Sequence, residues 1–207
     1  MQSYQKVVTL CTFMGMNYLA HFFLSGNKEN LILGNFIADS VKGEQIESYP
    51  EDIRVGIKMH REIDFFTDTH AVTSRSKDLL RKEFNHYSAV ILDVFYDYFL
   101  AKNWNEFSDE TLEDYSERIY SLLEKNTEKF PDGPRMILPF MKKNNWLVSY
   151  SQIEGIRKVL TGMSRRTKFE SKMELAADAL EKNHDLFECD FREFFPQLVL
   201  HTADFRK

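Results

Sequence analysis

The stretch Met59–Asp68, M-H-R-E-I-D-F-F-T-D, places His60, Asp64 and Asp68 four residues apart. On one helix all three point down a single face, while Ile63 occupies another. An imidazole above two carboxylates on adjacent turns supplies half of a divalent metal site. By itself the same pattern also suits a solvated polar face with Asp68 as a cap, so the rest of the chain must decide between the two.

A second pair of carboxylates lies in Ser88–Leu100, S-A-V-I-L-D-V-F-Y-D-Y-F-L, where Asp93 and Asp97 again stand at i,i+4. Val90, Ile91, Leu92, Val94, Phe95, Tyr96, Phe99 and Leu100 leave that helix almost no wet face. Two like charges at this spacing disfavour a helix slightly in water and far more once desolvated, so a metal or catalytic role is the stronger reading. Asp39 ends the segment Glu29–Val41, where the helix dipole favours cations and a carboxylate needs another partner. His21 sits inside the short apolar run Asn17–Leu24.

His21, Asp39, His60, Asp64, Asp68, Asp93 and Asp97 thus come from four separate segments. Five carboxylates in one cluster cannot all stay ionised in a core, and a divalent cation removes that conflict. Mixed imidazole and carboxylate donors suit Mn²⁺, Fe²⁺ or Mg²⁺ better than a structural zinc, which normally uses Cys. Such an ion lowers the pKa of a bound water and polarises a phosphoryl oxygen, which makes metal-assisted phosphoester hydrolysis the leading chemistry. The chain carries no P-loop, GxGxxG, HExxH or GxSxG pattern. Neither Cys11 nor Cys189 has a histidine at a telling spacing, so a thiol nucleophile is unsupported. His184 and His201 read as structural. Arg165, Arg166 and Lys168 form a compact basic cluster after Gly162, suited either to a solubilising helix end or to an acidic partner.

The elements that must position these residues read as helices. With 207 residues, 43% apolar and 29% charged, the chain has the composition of an ordinary globular protein. Only five Pro and eight Gly interrupt it. Periodicity predicts helices over Glu29–Val41, Glu51 to about Thr67, Ala71–Glu83, Ser88–Leu100, Glu110–Asn126 with Ser108 or Asp109 as N-cap, Arg135–Val148, Ile153–Thr161, Glu170–Leu180 and Asp185–Phe205. Thr67–His70 reads as a turn. No repeat or linker divides the chain, so a single all-α bundle of about seven to nine helices is expected.

The net charge of −5 gives no reason to expect nucleic acid as a partner. No run of 18 apolar residues suggests a membrane span. Two cysteines without CxxC spacing fit a reducing cytoplasm. Val7–Met16 is mildly apolar but short and broken by threonines, and reads as an extra N-terminal piece instead of a signal peptide. Composition leaves the oligomeric state open.

Several segments resemble the acyl carrier protein phosphodiesterase family: M-N-Y-L-A-H at 16–21, L-G-N-F-I-A-D at 33–39, G-I-K-M-H-R-E-I-D at 56–64 with F-T-D to Asp68, and L-D-V-F-Y-D-Y-F-L-A at 92–101. G-M-S-R-R at 162–166 and F-R-E-F-F-P-Q-L at 191–198 extend the resemblance over nearly all of Met16–Leu200. It implies an all-helical fold distantly related to the HD-type metal phosphohydrolases, with a rearranged signature. It also implies a manganese-dependent hydrolase that removes 4'-phosphopantetheine from holo-acyl carrier protein, leaving the apo protein. The family's essential early aspartate falls on Asp39, its N-terminal histidine on His21, its H-x-x-x-D pair on His60 and Asp64, and its paired aspartates on Asp93 and Asp97.

On that resemblance His21, Asp39, His60, Asp64 and Asp97 are the expected metal ligands, with Asp39, His60 and Asp64 also catalytic, and Asp68 and Asp93 supporting them. Arg61, Arg75, Arg165, Arg166 and Lys168 are expected to steer the acidic carrier into place. Residues 1–15 are expected to be an extension and 16–207 the helical domain. Two other readings are a metal phosphohydrolase acting on a nucleotide or other small phosphodiester, and a non-enzymatic helical binding module.

Overall fold

The computed structural model describes residues 17–207; the expected N-terminal extension, residues 1–15, lies outside them, as does Cys11. Among the described residues there is no strand, and eleven α-helices carry the fold. They are α1 (Tyr18–Leu24), α2 (Glu29–Ile37), α3 (Glu51–Thr69), α4 (Ala71–Phe84), α5 (Ser88–Lys102), α6 (Leu112–Lys125), α7 (Asp132–Lys143), α8 (Trp146–Ser149), α9 (Ile153–Ser164), α10 (Ala176–Lys182) and α11 (His184–His201). The all-α expectation holds. About nine of the helices are substantial, as expected, and short pieces such as α8 make up the rest.

The apolar helix α5 lies at the centre, with Ile91, Leu92, Val94, Phe95, Phe99 and Leu100 fully excluded from solvent. Around it α11 contributes Phe187, Phe191, Phe194 and Phe195, and Phe191 stacks on Phe99 with ring centroids 5.8 Å apart. These rings act as core packing, the role their helical spacing suits best.

The pair α2 and α3 matters most for the site. Its helices meet glycine to glycine: a Cβ on Gly34 would lie 2.3 Å from the Ile53 carbonyl oxygen and 2.7 Å from Gly56 Cα. A Cβ on Gly56 would lie 2.6 Å from the Leu31 carbonyl. Removing both side chains lets the backbones touch and brings the end of α2 against the face of α3 that carries His60.

Several boundaries differ from the periodicity reading, each for a local reason. α2 ends at Ile37 and the chain tightens into a 3₁₀ turn at Ala38–Ser40, so Asp39 projects from that turn. α3 runs on through Thr69; His70 then joins it to α4, its Nδ1 accepting from Val72 N at 3.2 Å. The N-cap of α6 is Thr111, whose hydroxyl accepts from Asp114 N at 3.1 Å, and not Ser108 or Asp109. The expected Arg135–Val148 helix is two, because Asn145 adopts a left-handed conformation (φ 41°) between α7 and α8. The last helix stops at His201, followed by a 3₁₀ turn at Ala203–Arg206. None of the helices in the described residues is long and apolar enough to cross a membrane.

Candidate metal centre

α1 is only seven residues long, too short to stand on propensity alone. Its N-terminal N–H groups are met from α5: Leu19 N donates to Asp97 Oδ2 at 3.0 Å and Ala20 N to Asp97 Oδ1 at 2.8 Å. A carboxylate at a helix N-terminus satisfies orphan donors and complements the dipole. Asp97 is wholly buried, and burial pushes its carboxyl up to about 7 against the opposing pull of those two N–H groups. The expected ligand therefore has both oxygens engaged by backbone and anchors the helix that carries His21. A desolvated carboxylate needs partners, and here the Leu19 and Ala20 N–H groups supply them.

His21 and His60 face each other from α1 and α3, their rings stacked at 4.2 Å between centroids and inclined by 23°. Asp64, one turn beyond His60, spans both: its Oδ1 lies 3.4 Å from His21 Nε2 and its Oδ2 3.3 Å from His60 Nε2. From the 3₁₀ turn after α2, Asp39 Oδ1 comes within 3.3 Å of the same His60 Nε2. One ligating atom each from His21, His60 and Asp64 lies within 4.8 Å of the others. Both histidines are buried, whereas Asp64 and Asp39 keep 44% and 30% of their side chains open to solvent. The cluster thus has a closed imidazole floor and an open carboxylate rim.

Charge in this cluster is strongly coupled. Burial alone would lower the His60 pKa, but hydrogen bonds and charge from Asp39 and Asp64 outweigh it and raise it to about 10. Burial would raise Asp64, yet His21 and His60 together hold its carboxyl far below the usual range. A proton on His60 then offsets two carboxylates. A divalent cation fits the same need, because two imidazoles and two carboxylates converge. This is a His/His/Asp arrangement of HD-like character, with Asp39 beside it.

The other carboxylates sit around the cluster. Asp93 is half-buried on α5; burial first, then the charges of Asp64, Asp68 and Asp97, hold its carboxyl well above the usual range, with Lys77 opposing. Asp68 is exposed at the end of α3, 3.5 Å from Lys77 Nζ. Buried Lys77 also donates to the carbonyls of Asp68 at 2.6 Å and Thr67 at 3.4 Å, closing the C-terminus of α3. Asp68 therefore belongs to the helix end more than to the imidazoles.

The expected steering cations separate as well. Arg61 donates to the Val41 carbonyl at 3.0 Å and tethers the Asp39 turn to α3. Arg75 is held by Asp190 at 2.8 Å and Glu193 at 2.6 Å, which raise its pKa further. Arg166 Nε donates to the Gly162 carbonyl at 2.9 Å, while Arg165 and Lys168 are exposed, Lys168 over the Phe169 ring. His201 pairs with Glu62 at 2.6 Å and stacks on Phe66, and His184 meets Tyr98 and Lys102, in keeping with structural roles.

Sequence reasoning overlooked Asn35. Its Oδ1 lies 3.1 Å from His21 Nδ1, and it stands four residues before Asp39, the spacing that already marked the acidic residues.

Comparison with known proteins bears on this geometry. The family model described as acyl carrier protein phosphodiesterase matches residues 16–198. The chain is similar to the acyl carrier protein phosphodiesterase of Photorhabdus laumondii, 30% identical over 89% of this chain and 93% of that protein. It is likewise similar to the proteins of that name from Escherichia coli O6:H1, 32% identical over 89% of this chain and 96% of the relative, and from Escherichia coli O139:H28, 32% identical over 91% and 98%. No solved structure matches the chain.

Proposed function

Because the chain belongs to the acyl carrier protein phosphodiesterase family, we propose that it hydrolyses the phosphodiester between 4'-phosphopantetheine and the serine of holo-acyl carrier protein, giving apo-acyl carrier protein. The observation that carries this reading is the convergence of His21, Asp39, His60 and Asp64 from three separate segments. Those four residues would hold the divalent cation, Mn²⁺ on the family's implication, with Mg²⁺ or Fe²⁺ as alternatives. Bound there, the ion would supply Lewis acidity toward the phosphoryl group and the attacking water.

The protein's own groups do the rest. His21 and His60 form a dry floor that fixes the position of the phosphoryl group's neighbours. Asp39, on the open rim, orients the attacking water and accepts its proton. Burial and the neighbouring Asp64 charge push the Asp93 carboxyl up, which favours its neutral form near the site. The open rim suits a long flexible arm threaded from a protein surface. Arg61, Arg165, Arg166 and Lys168 are the cations proposed to guide an acidic carrier. Arg75 has its charge engaged by Asp190 and Glu193. Residues 16–207 are proposed as one catalytic domain of a cytoplasmic enzyme.

The test is direct. Purified protein, Mn²⁺ and holo-acyl carrier protein are incubated and the carrier's intact mass is followed. Loss of the prosthetic group, abolished in Asp39→Ala, supports the reading. An unchanged carrier mass with folded, Mn²⁺-loaded protein overturns it.

A further inference from the structure

We propose that Asn35 is a positioning residue that fixes the tautomer and ring plane of His21, so that Nε2 and not Nδ1 is presented to the metal centre. The inference rests on the metal reading above only for its consequence; the tautomer itself is a property of the metal-free protein.

His21, Ser25 and Asn35 form a closed hydrogen-bond circuit. His21, Ser25 and Asn35 are all buried, at 2%, 0% and 1% exposure. Ser25 Oγ donates to the His21 carbonyl at 2.9 Å and accepts from Asn35 Nδ2 at 2.8 Å. The same Asn35 Nδ2 donates to the Leu31 carbonyl at 3.3 Å. A carbonyl can only accept, so the amide nitrogen must face Leu31 and Ser25. Turning the amide over would set an oxygen against the Leu31 carbonyl in a buried place. Asn35 Oδ1 therefore faces His21 Nδ1, at 3.1 Å.

An amide oxygen cannot donate, so His21 Nδ1 must carry a proton. Nε2 is left as the variable nitrogen, and it is the one 3.4 Å from Asp64 Oδ1. Asn35 thus does for His21 what a carboxylate or carbonyl does for a ligating histidine elsewhere. His60 has no such arrangement: its Nδ1 is unpartnered and its Nε2 is oriented by Asp39 and Asp64. The two imidazoles are held by different means, and only His21 has an orientation set apart from the carboxylates.

The circuit also ties this orientation to the scaffold. Ser25 directly follows α1, Asn35 lies on α2 beside Gly34, and Leu31 lies one turn back on the same helix. The residue immediately before Asn35 is the one through which α2 presses on α3.

Metal-free protein carrying ¹⁵N-histidine is recorded by two-bond ¹H–¹⁵N correlation between pH 6 and 9, and Mn²⁺ affinity is measured by calorimetry. In the wild type, His21 is expected to keep Nδ1 protonated throughout. In Asn35→Leu the acceptor is lost, and His21 is expected to shift toward the Nε2-protonated form with Mn²⁺ Kd weakened about 10–100-fold. Asn35→Asp keeps an acceptor toward Nδ1 and should retain the tautomer, while its second oxygen, set against the Leu31 carbonyl in place of an N–H donor, should lower the stability of the fold. Should Asn35→Leu fail to fold, Ser25→Ala, which frees one amide hydrogen of Asn35, should weaken Mn²⁺ binding in the same direction by a smaller factor.

A wild-type His21 protonated on Nε2 alone overturns the proposal. So does a folded Asn35→Leu with wild-type tautomer and unchanged Mn²⁺ Kd or, where that variant does not fold, a Ser25→Ala with unchanged Mn²⁺ Kd. A wild type that keeps Nδ1 protonated and loses that preference in Asn35→Leu, yet takes up no Mn²⁺, supports the positioning role and refutes the metal reading instead.

Discussion

Gly34→Ala tests whether the contact between α2 and α3 sets the geometry of the centre. The added Cβ would meet the Ile53 carbonyl oxygen at 2.3 Å and Gly56 Cα at 2.7 Å, against ordinary contacts of 3.4–4 Å. Both obstacles are backbone, so no rotamer change relieves them, and the helices must part by about 1 Å. Overpacking of this kind costs about 1–3 kcal/mol. The higher helix propensity of Ala returns about 1 kcal/mol. With the clash at the upper end of its range, a net loss of about 1–2 kcal/mol follows, and a fall in Tm of roughly 2–8 °C.

The same separation acts on the site. Asp39 lies just past the end of α2, His60 one turn beyond Gly56, and they are 3.3 Å apart. Opening this gap by about 1 Å should weaken Mn²⁺ binding by an order of magnitude or more, as a misplacement of that size does to other preorganised sites. Urea and thermal denaturation of the metal-free protein measure the first effect, and Mn²⁺ calorimetry the second. A Gly34→Ala protein as stable as wild type with an unchanged Kd would refute the claim that backbone contact here positions the ligands.

Two further tests address the carboxylates. Asp97→Ala removes both acceptors from the Leu19 and Ala20 N–H groups and should cost about 3–5 kcal/mol, with Asp97→Asn at roughly half that; Mn²⁺ should still bind at saturating concentration, and complete loss of binding in a folded Asp97→Asn would instead make Asp97 a ligand. The metal-free protein should be most stable on the acid side of neutral. Asp97, raised from 3.8 to about 7, contributes stability present below its unfolded value and lost as pH rises through 7. His60, raised from 6.5 to about 10, contributes stability lost as pH rises to 10. Asp64, whose pKa is depressed, contributes stability lost as pH falls below about 3.8. Urea titrations from pH 3 to 10 in the presence of a chelator check this, and stability that rises steadily from pH 5 to 9 would contradict it.

How much of this was legible in the sequence depended on how local each cause was. The i,i+4 spacing of His60 and Asp64 follows from helical period alone, and both side chains fall where that period puts them. Asp68 continues the spacing but lies at the helix end, where Lys77, nine residues on, engages it. The all-helical fold was legible because long stretches lack Gly and Pro, whereas the break at Asn145 was overrun by the apolar period, although the Asn144-Asn145 pair is the residue type that most readily takes a left-handed conformation after Gly. Asn35 was passed over because an amide carries no charge conflict to draw attention. Its importance appears only once Ser25, Leu31 and His21 surround it.

Asp93 and Asp97 show where one-dimensional reasoning stops. Both were recognisable as carboxylates out of place in an apolar helix, and both are strongly desolvated in the fold. Desolvation states that a partner is required and leaves its identity open. For Asp97 that partner comes from 77 and 78 residues earlier in the chain, as two backbone N–H groups that no side-chain pattern could announce. Asp93 instead faces Asp64 and Asp68, so its neutral form is favoured while those charges stand. The pair therefore divides by surroundings: one carboxyl builds the helix that delivers His21, and the other responds to the charge of the centre itself.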